Sequence, residues 1–335
     1  MNTVNTPTSL IDLHIHLPGT VRATTLADLA AKNGVELPLP AEELYTRINS
    51  SPTEEEQGRG PWFPLLRVYE LISQSLRDRD DFSRTVFEAL EDAKNNSDVA
   101  YAELAFSPSE HIKAGVAYPE MVAGIEEGFA RARTELGVDG RALAAVNRED
   151  TAEVAVDMVR TVAQHPSDAI PGIGLDFYEL GGMPEKFVDA FRLAGEAGLK
   201  RTAHAGEHAP TAQTVETALD VLGCDRIDHG YQILRDPRIV ERCAEAGVLF
   251  NVAFTTSRRS LIQWRRESIA GMVEAGLRVT INSDDPALFP TTLKREMEIA
   301  DEVLGERRAW LVNNSVDATF LDTDAKKALR AKVLS

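Results

Sequence analysis

The sequence predicts an α/β fold, a (β/α)8 or TIM barrel, from two observations. Short apolar runs alternate with helix-like stretches eight times along the 335-residue chain, which fits a closed parallel barrel better than an open sheet. Polar motifs stand where several of these runs end. Because the carboxyl ends of barrel strands meet at one face, the motifs are expected to form one active site.

Eight segments are predicted to be strands. Most are enriched in β-branched or aromatic residues, and several are followed by Gly, Pro, Asp or Ser. The predicted strands are Leu10–Ile15, Val99–Phe106, Arg141–Val146, Ile173–Phe177, Arg201–Ala205, Arg226–Gly230, Val248–Phe254 and Arg278–Asn282. The third is a weaker signal, and the sixth is short and more polar than the rest.

Helices are predicted between the later strands. Each of them is followed directly by Gly, which takes the left-handed conformation that ends many helices. The predicted helices are Pro184–Ala197, Thr211–Leu222, Pro237–Ala246 and Ser268–Ala275.

A helical insertion is predicted at about residues 25–95, between the first and second strands. It is broken by the acidic loop Ser51–Gly60. Insertions after barrel strands commonly cover the active-site mouth. Trp62 and Phe63 follow the loop and could line a pocket for a flat ring, or could simply belong to the core. Residues 1–335 are predicted to form one barrel domain that carries this insertion.

The composition is that of an ordinary globular protein, with 43% hydrophobic and 27% charged residues. The net charge of −17 disfavours nucleic acid and anionic membranes as partners. Cys224 and Cys243 lack metal-ligand spacing, which predicts a reducing compartment, and the N-terminus does not resemble a signal peptide. We therefore expect a cytoplasmic protein with a small-molecule substrate, and leave its oligomeric state open.

Four residues at predicted strand ends are candidate metal ligands. His14 and His16 are two apart and so face the same side of a strand. His204 ends another strand, and Asp284 follows the last one. Three imidazoles and one carboxylate suit zinc, with room for a water whose pKa zinc lowers toward about 7. Each residue alone could instead be a buried polar group or a helix cap.

Three further residues are candidates for catalysis. Glu207 follows His204 by three residues and could protonate a ring nitrogen, or could serve as a favourable charge at the start of a helix. His229 could orient a metal-bound water or take its proton. Asp285 adjoins Asp284, and in extended backbone their side chains would point opposite ways, so Asp285 is expected to contact water or substrate.

The remaining histidines are weaker candidates. His111 and His165 stand in loop or helix-end contexts and are predicted to lie on the surface. His208 follows Glu207 and could touch substrate, although exposure is the preferred interpretation.

Five segments together resemble the adenosine/adenine deaminase family of metal-dependent aminohydrolases. The resemblance runs from about Leu10 to Gly305 in the family's order, and the combination is far more specific than any of its parts. The segments are Asp12-Leu-His14-Ile-His16, Tyr101-Ala-Glu-Leu104, His204-Ala-Gly-Glu207, Arg226-Ile-Asp-His229-Gly230 and Asn282-Ser-Asp284-Asp285-Pro286.

The resemblance implies a (β/α)8 barrel with one catalytic zinc. The implied zinc ligands are His14, His16, His204 and Asp284. Glu207 would protonate the purine N1, while His229 and Asp285 would activate and orient the hydroxide that attacks C6. Ammonia then leaves and a 6-oxopurine remains. No lysine ends the fourth strand, where a two-metal amidohydrolase would bridge its metals, so a single metal is implied.

The segment Gly174-Leu-Asp-Phe-Tyr-Glu179-Leu-Gly181 bears on the substrate. Adenosine deaminases carry a Gly where Glu179 stands, whereas adenine deaminases carry a Glu, so the chain resembles the adenine deaminase branch more closely. A carboxylate there could accept a hydrogen bond from N9–H of a free base, and a nucleoside would leave it unpaired. The residues predicted to bind substrate are Asp176, Phe177, Tyr178, Glu179, Gly206, Trp62 and Phe63.

Two departures from the family pattern leave the substrate open. Phe177 and Tyr178 replace the small residues usual before that Glu in adenine deaminases, and Val252–Ser257 lacks the Cys-Pro-x-Ser-Asn pattern of both branches. The expected activity is zinc-dependent hydrolytic deamination of adenine or a modified adenine. The alternatives are adenosine, another aminated heterocycle such as a pterin, an amide or ester hydrolase, and a catalytically silent barrel used as a binding module.

Overall fold

Eight parallel strands form one sheet in which each strand pairs with the next along the chain. The computed structural model describes residues 7–48, 63–256 and 262–334. The strands are β1 Leu10–His16, β2 Val99–Phe106, β3 Asp139–Asn147, β4 Gly172–Asp176, β5 Lys200–Ala205, β6 Arg226–His229, β7 Leu249–Val252 and β8 Arg278–Ile281. The predicted (β/α)8 barrel is confirmed, and each predicted strand lies within a few residues of an observed one.

The barrel closes between β1 and the residues that follow β8. Ile15 pairs with Asp284 in a parallel bridge. The amide of His16 donates to the carbonyl of Asp284 at 3.0 Å, and the amide of Asp284 donates to the carbonyl of His14 at 2.9 Å. This closure places an acidic residue directly beside the two histidines of β1.

Helices surround the barrel and fill the long connection between β1 and β2. They are α1 Leu17–Thr20, α2 Ala23–Asn33, α3 Ala41–Ile48, α4 Phe63–Ser75, α5 Arg79–Ser97, α6 Pro108–Lys113, α7 Tyr118–Glu135, α8 Ala152–Gln164, α9 Val188–Glu196, α10 Gln213–Asp220, α11 Pro237–Ala246, α12 Ile262–Glu274, α13 Leu293–Leu304, α14 Arg308–Ala318 and α15 Thr323–Val333. Helix α11 has the predicted bounds, whereas α12 is longer than the predicted Ser268–Ala275. Within the described residues, no helix is long and apolar enough to cross a membrane.

Two glycines let the insertion pack closely against the barrel layer. A Cβ on Gly124 would lie 2.4 Å from the carbonyl oxygen of Arg79, and a Cβ on Gly128 would lie 2.7 Å from the Cβ of Val86. Both contacts join α7 to α5, the last helix of the insertion. This packing fixes the end of the insertion and therefore its position over the barrel mouth.

The prediction that His111 lies on the surface is wrong. Its exposed fraction is 2%, its ring meets Phe82 edge-on with centroids 4.9 Å apart, and its Nδ1 lies 3.2 Å from the carbonyl oxygen of Ser73. Burial lowers the pKa of His111 to about 4, so its ring is neutral at pH 7. His165 is exposed, as predicted.

Candidate active site

A cavity opens at the carboxyl ends of the barrel strands, as the strand-end motifs predict. Its empty volume is about 570 Å³, part of it open to solvent. Helix α4 of the insertion covers one side, which agrees with the predicted capping role. The residues that line it are His16, Leu65, Leu66, Tyr69, Asp176, Phe177, Tyr178, His204, Glu207, His208, His229, Thr256, Asp284, Asp285 and Phe289.

The four predicted metal ligands are buried together at the base of this cavity. Nε2 of His14 and Nε2 of His16 lie 3.5 Å and 3.2 Å from the same oxygen, Oδ1 of Asp284. The ring centroid of His204 lies 4.7 Å from that of His14 and 5.1 Å from that of His16. Three overlapping groups of residues are compact enough to hold a metal ion: His14, His16 and Asp284; His14, His204 and His229; and His16, His204 and Asp176.

Acidic side chains orient the ligand histidines from behind. Nδ1 of His14 lies 3.3 Å from Asp228, Nδ1 of His16 lies 3.3 Å from Asp176, and Nδ1 of His204 lies 2.9 Å from Asp176. A proton held on Nδ1 by such a carboxylate leaves the Nε2 lone pair free for a metal. This arrangement was not foreseen for Asp176 and Asp228, because their partners lie on other strands.

The charge of the site favours a bound cation. Burial lowers the pKa of His14, but the charge of Asp228 outweighs it, and the pKa rises to about 10. Burial and the charge of Asp284 together raise the pKa of Asp285 to about 7. Nε2 of His14 is buried and has no hydrogen-bond partner in the described part of the chain. Three imidazoles, one of which has this unpaired nitrogen, and a carboxylate fit a zinc ion.

Three residues of the site adopt left-handed backbone conformations that side chains rarely occupy. Their φ angles are 71° for Phe177, 71° for His229 and 61° for Asp284. The expectation of extended backbone at Asp284 is therefore wrong, and both Asp284 and Asp285 line the cavity. Such strained positions cluster at functional sites, where the surrounding fold holds them in place.

Glu207 is surrounded by groups that stabilise its ionised form. Its Oε1 accepts a hydrogen bond from Nη2 of Arg265 at 2.7 Å. Its Oε2 lies 3.0 Å from Nδ1 of His208 and 3.7 Å from Nε2 of His229. Burial raises the pKa of Glu207, but its basic neighbours, His208 foremost and Arg265 among them, hold the pKa well below its ordinary value. His208 is half-buried and lines the cavity, contrary to the preferred prediction of exposure.

His229 is held with one ring nitrogen toward the cavity. Its Nδ1 lies 3.1 Å from Oη of Tyr231, and that hydroxyl donates to the carbonyl of Ala253 at 2.9 Å. The hydroxyl proton is used in the hydrogen bond to Ala253. Nδ1 of His229 is therefore the protonated nitrogen that donates to the Tyr231 hydroxyl, and Nε2 bears the lone pair. Burial keeps the pKa of His229 well below its ordinary value. The ring is therefore neutral, with an unprotonated Nε2 on the side of the cavity.

Glu179 does not contact the cavity in the way the sequence predicts. It is completely buried and absent from the cavity lining. Its Oε1 accepts from the amide of Gly206 at 2.8 Å, and its Oε2 accepts from the amides of Glu207, His208 and Ala209 at 2.6 to 3.0 Å. A carboxylate with these partners cannot meet N9 of a ring, because its oxygens are already engaged. Glu179 instead fixes the loop that follows β5.

The other predicted substrate-binding residues divide between the cavity and its surroundings. Phe177 and Tyr178 line it, whereas Asp176 directs its oxygens at two histidines. Gly206 has φ of 65° and serves the loop held by Glu179. Trp62, and the side chain of Phe63 at the start of α4, lie outside the described residues.

Tyr69 on α4 was missed by the sequence reasoning. It lines the cavity, and its hydroxyl donates to Asp285. The signal that could have found it is its helical spacing from Leu65 and Leu66, which line the same wall.

The barrel, the buried histidine–aspartate cluster and the carboxylate beside it define a metal-dependent hydrolase. The chain belongs to the adenosine deaminase family, whose model matches residues 9–335.

Named relatives agree with this assignment along nearly their whole length. An adenine deaminase from Streptomyces coelicolor is 33% identical over 98% of this chain and 94% of its own. An aminodeoxyfutalosine deaminase from Acidothermus cellulolyticus is 31% identical over 96% of this chain and 89% of its own.

Two solved structures share the fold of this chain over most of its length. An amidohydrolase from Burkholderia ambifaria with bound zinc is 31% identical, with a TM-score of 0.87 over 96% of this chain and 88% of its own. The adenine deaminase of Arthrobacter aurescens is 31% identical, with a TM-score of 0.86 over 96% of this chain and 97% of its own.

Proposed function

We propose that the protein is a zinc-dependent hydrolase that converts an adenine-type ring to the 6-oxopurine and ammonia. The observation that carries this proposal is the position of Glu207 and His229. Their facing atoms lie 3.7 Å apart, one as a carboxylate and one as a neutral imidazole, beside the histidine–aspartate cluster. A deaminase needs both groups, because water must lose a proton while the ring nitrogen gains one.

Zinc would be held by His14, His16, His204 and Asp284. The ligand types, the free Nε2 of His14 and the carboxylates behind the histidines fit this ion. When bound, zinc makes hydroxide available at neutral pH. The zinc-containing relative from Burkholderia supports the assignment.

The chain's own residues then move the protons. His229 accepts a proton from the attacking water through Nε2, and Glu207 delivers a proton to the ring nitrogen next to the amino-bearing carbon. Oε2 of Glu207 faces Nε2 of His229 at 3.7 Å, which is too far for a hydrogen bond, so a proton would pass between them through a water held in the gap. Asp285 orients the attacking water. The new C–O bond forms before the C–N bond breaks, and the proton that remains on the added hydroxyl passes to the amino group, which leaves as ammonia and leaves the 6-oxo group behind.

Adenine is the substrate we propose first. Relatives at 31–33% identity over most of the chain are adenine deaminases, and Phe177, Tyr178 and Phe289 offer aromatic surfaces to a flat ring. Because Glu179 is turned away from the cavity, it gives no reason to exclude a ring substituted at N9. The aminodeoxyfutalosine deaminase relative favours such a larger substrate as the second candidate.

We also propose that residues 1–335 act as one catalytic domain, in the cytoplasm, on a small molecule. Nucleic acid is not expected as a partner, because the chain carries a net charge of −17.

The proposal is tested by incubating zinc-loaded protein with a panel of compounds and measuring the amine that each compound releases and the oxo product that it forms. The panel contains adenine, N6-methyladenine, adenosine, 5′-deoxyadenosine and an aminopterin ring, with protein stripped of metal by a chelator as the control. We expect ammonia and a 6-oxopurine in equal amounts from adenine or an N9-substituted adenine. A zinc-loaded protein that releases neither ammonia nor, from N6-methyladenine, methylamine would instead indicate a binding module.

A further inference from the structure

Arg265 is a buried cation in the wall of the site that neither the sequence motifs nor the proposed chemistry accounts for. It lies on α12, and its exposed fraction is 1%. Arginine is rarely buried this completely unless its charge is paired. The acidic partner of Arg265 is Glu207, which lines the cavity, so the role of Arg265 is expected to concern Glu207.

The guanidinium makes three directed contacts. Nη2 donates to Oε1 of Glu207 at 2.7 Å, and Nη1 donates to the carbonyl of Thr256 at 2.5 Å. The planar group also stacks on Tyr231, with Cζ 4.6 Å from the ring centroid. A planar group held at two nitrogens and one face has little freedom to turn.

These contacts distinguish the two oxygens of Glu207. Oε1 is occupied by Arg265, which leaves Oε2 as the oxygen that faces His208 and His229. A carboxylate anchored at one oxygen cannot rotate freely about its terminal bond. Oε2 is therefore kept on the side where a proton must be exchanged with His229 and with a bound ring.

The same side chain supports the base. Arg265 stacks on Tyr231, and the hydroxyl of Tyr231 holds Nδ1 of His229. Arg265 thus contacts the proposed acid, Glu207, directly, and it supports the proposed base, His229, through the ring of Tyr231.

The backbone that receives Arg265 is itself anchored. The buried carboxylate of Glu296 accepts from the amide of Phe254 at 2.6 Å and from the hydroxyl of Thr255, and Thr256 donates from its hydroxyl to the carbonyl of Ser283 at 3.0 Å. This loop after β7 is the segment that departs from the family pattern, and its Thr256 carbonyl holds Arg265.

We propose that Arg265 is a positioning residue that holds Glu207 with Oε2 toward the substrate ring and aligns it with His229. The proposal rests on the proposed deaminase function. It predicts a larger effect on turnover than on binding, since the ring stacks against other walls of the cavity.

The first test compares R265M and R265K with R266M as the matched control. Arg266 is the next residue on the same helix, but it pairs with the exposed Glu302 at 2.7 Å. We expect R265M to lower kcat about 10- to 100-fold with KM changed less than about threefold. R265K should recover part of the loss, because an ammonium can replace the charge but not both hydrogen bonds and the stacking. R266M should match the wild type.

The second test measures the pairing without activity, from urea midpoints of the wild type, R265M, E207Q and the double variant. R265M leaves the Glu207 carboxylate buried without its guanidinium partner. E207Q should therefore raise the midpoint of R265M, although it lowers or leaves unchanged the midpoint of the wild type. A fall of equal size in both backgrounds would show that the two side chains are not coupled and would overturn the proposal.

The two proposals fail in different ways. An active wild type whose R265M variant keeps the wild-type kcat overturns the role of Arg265. A zinc-loaded wild type that releases neither ammonia nor methylamine from the panel overturns the deaminase function. The positioning role of Arg265 falls with it, even if the urea midpoints show that Arg265 and Glu207 are paired.

Discussion

Asp176 holds His204 at 2.9 Å, from Oδ1 to Nδ1, and its second oxygen lies 3.3 Å from Nδ1 of His16. One carboxylate thus orients two of the proposed zinc ligands. An amide in its place would present a donor to one of the two histidines. The metal site therefore depends on Asp176, although Asp176 is not itself a proposed ligand.

Replacing Asp176 by Asn is expected to weaken zinc binding about 10- to 100-fold, the usual cost of losing such a partner. Competition with a chromogenic chelator measures the effect. D225N is the control, because Asp225 binds Lys200 and the amide of Arg201 near the amino end of β5. Equal zinc affinity in D176N and D225N would contradict the assignment.

Tyr231 is expected to control the protonation pattern of His229. Y231F removes the hydroxyl that accepts the hydrogen bond from Nδ1–H of His229 and donates to the carbonyl of Ala253. We expect kcat to fall about tenfold or more while zinc content stays the same, because the ring can then place its proton on the wrong nitrogen. Y118F is the matched change, since the buried Tyr118 hydroxyl has no hydrogen-bond partner in the described residues. If Y231F retains the kcat of Y118F, Tyr231 does not set the tautomer.

Glu179 is expected to affect stability and turnover, but not the choice of substrate. In E179Q an amide NH2 group would face backbone N–H groups that now donate to a carboxylate. The lost acceptor should lower the free energy of unfolding by about 1–3 kcal/mol and reduce kcat through the displaced Glu207.

The ratio of kcat/KM for adenine and adenosine distinguishes this role from the one predicted from sequence. We expect the ratio to be unchanged in E179Q. E185Q is the control, because Glu185 accepts only from the hydroxyl of Thr217 at 3.2 Å among the described contacts. A selective gain of activity toward adenosine would restore the original idea that Glu179 faces N9.

His111 is expected to make stability depend on pH. Burial lowers its pKa from 6.5 to about 4, so the unfolded chain binds more protons between these values. The stability that neutral His111 provides is complete above pH 6.5 and is lost as pH falls toward 4. The contribution to unfolding free energy should fall by about 2 kcal/mol between pH 7 and pH 5.

Urea unfolding of the wild type, H111Q and H165Q at pH 7 and pH 5 measures this contribution. H111Q should show a smaller loss of stability on acidification than the wild type. H165Q should behave like the wild type, because His165 is exposed. If H111Q loses as much unfolding free energy between pH 7 and pH 5 as the wild type does, groups other than His111 cause the pH dependence.

The barrel could be predicted because its signals are local. Strand β2 and helix α11 have the predicted bounds, since a largely apolar run and a helix followed directly by Gly are both recognisable in the sequence. His14, His16, His204 and Asp284 meet as predicted because parallel strands bring their ends together whatever their separation along the chain.

The errors arise where contacts between distant residues decide the outcome. Glu179 was placed against the ring because the sequence does not show that four amides from residues 206–209 reach it. His111 was placed on the surface because burial by Phe82 comes from another helix. Arg265 carries no local sign of its role, since arginine in a helix is usually solvated.

The central claim is that Glu207 delivers a proton to the ring while a separate set of residues holds the metal. E207Q tests it most directly, with kcat on adenine-type substrates and zinc content measured on the same protein. We expect kcat to fall about 100- to 10,000-fold with one zinc retained per chain. Wild-type turnover in E207Q, or loss of zinc together with activity, would contradict the account.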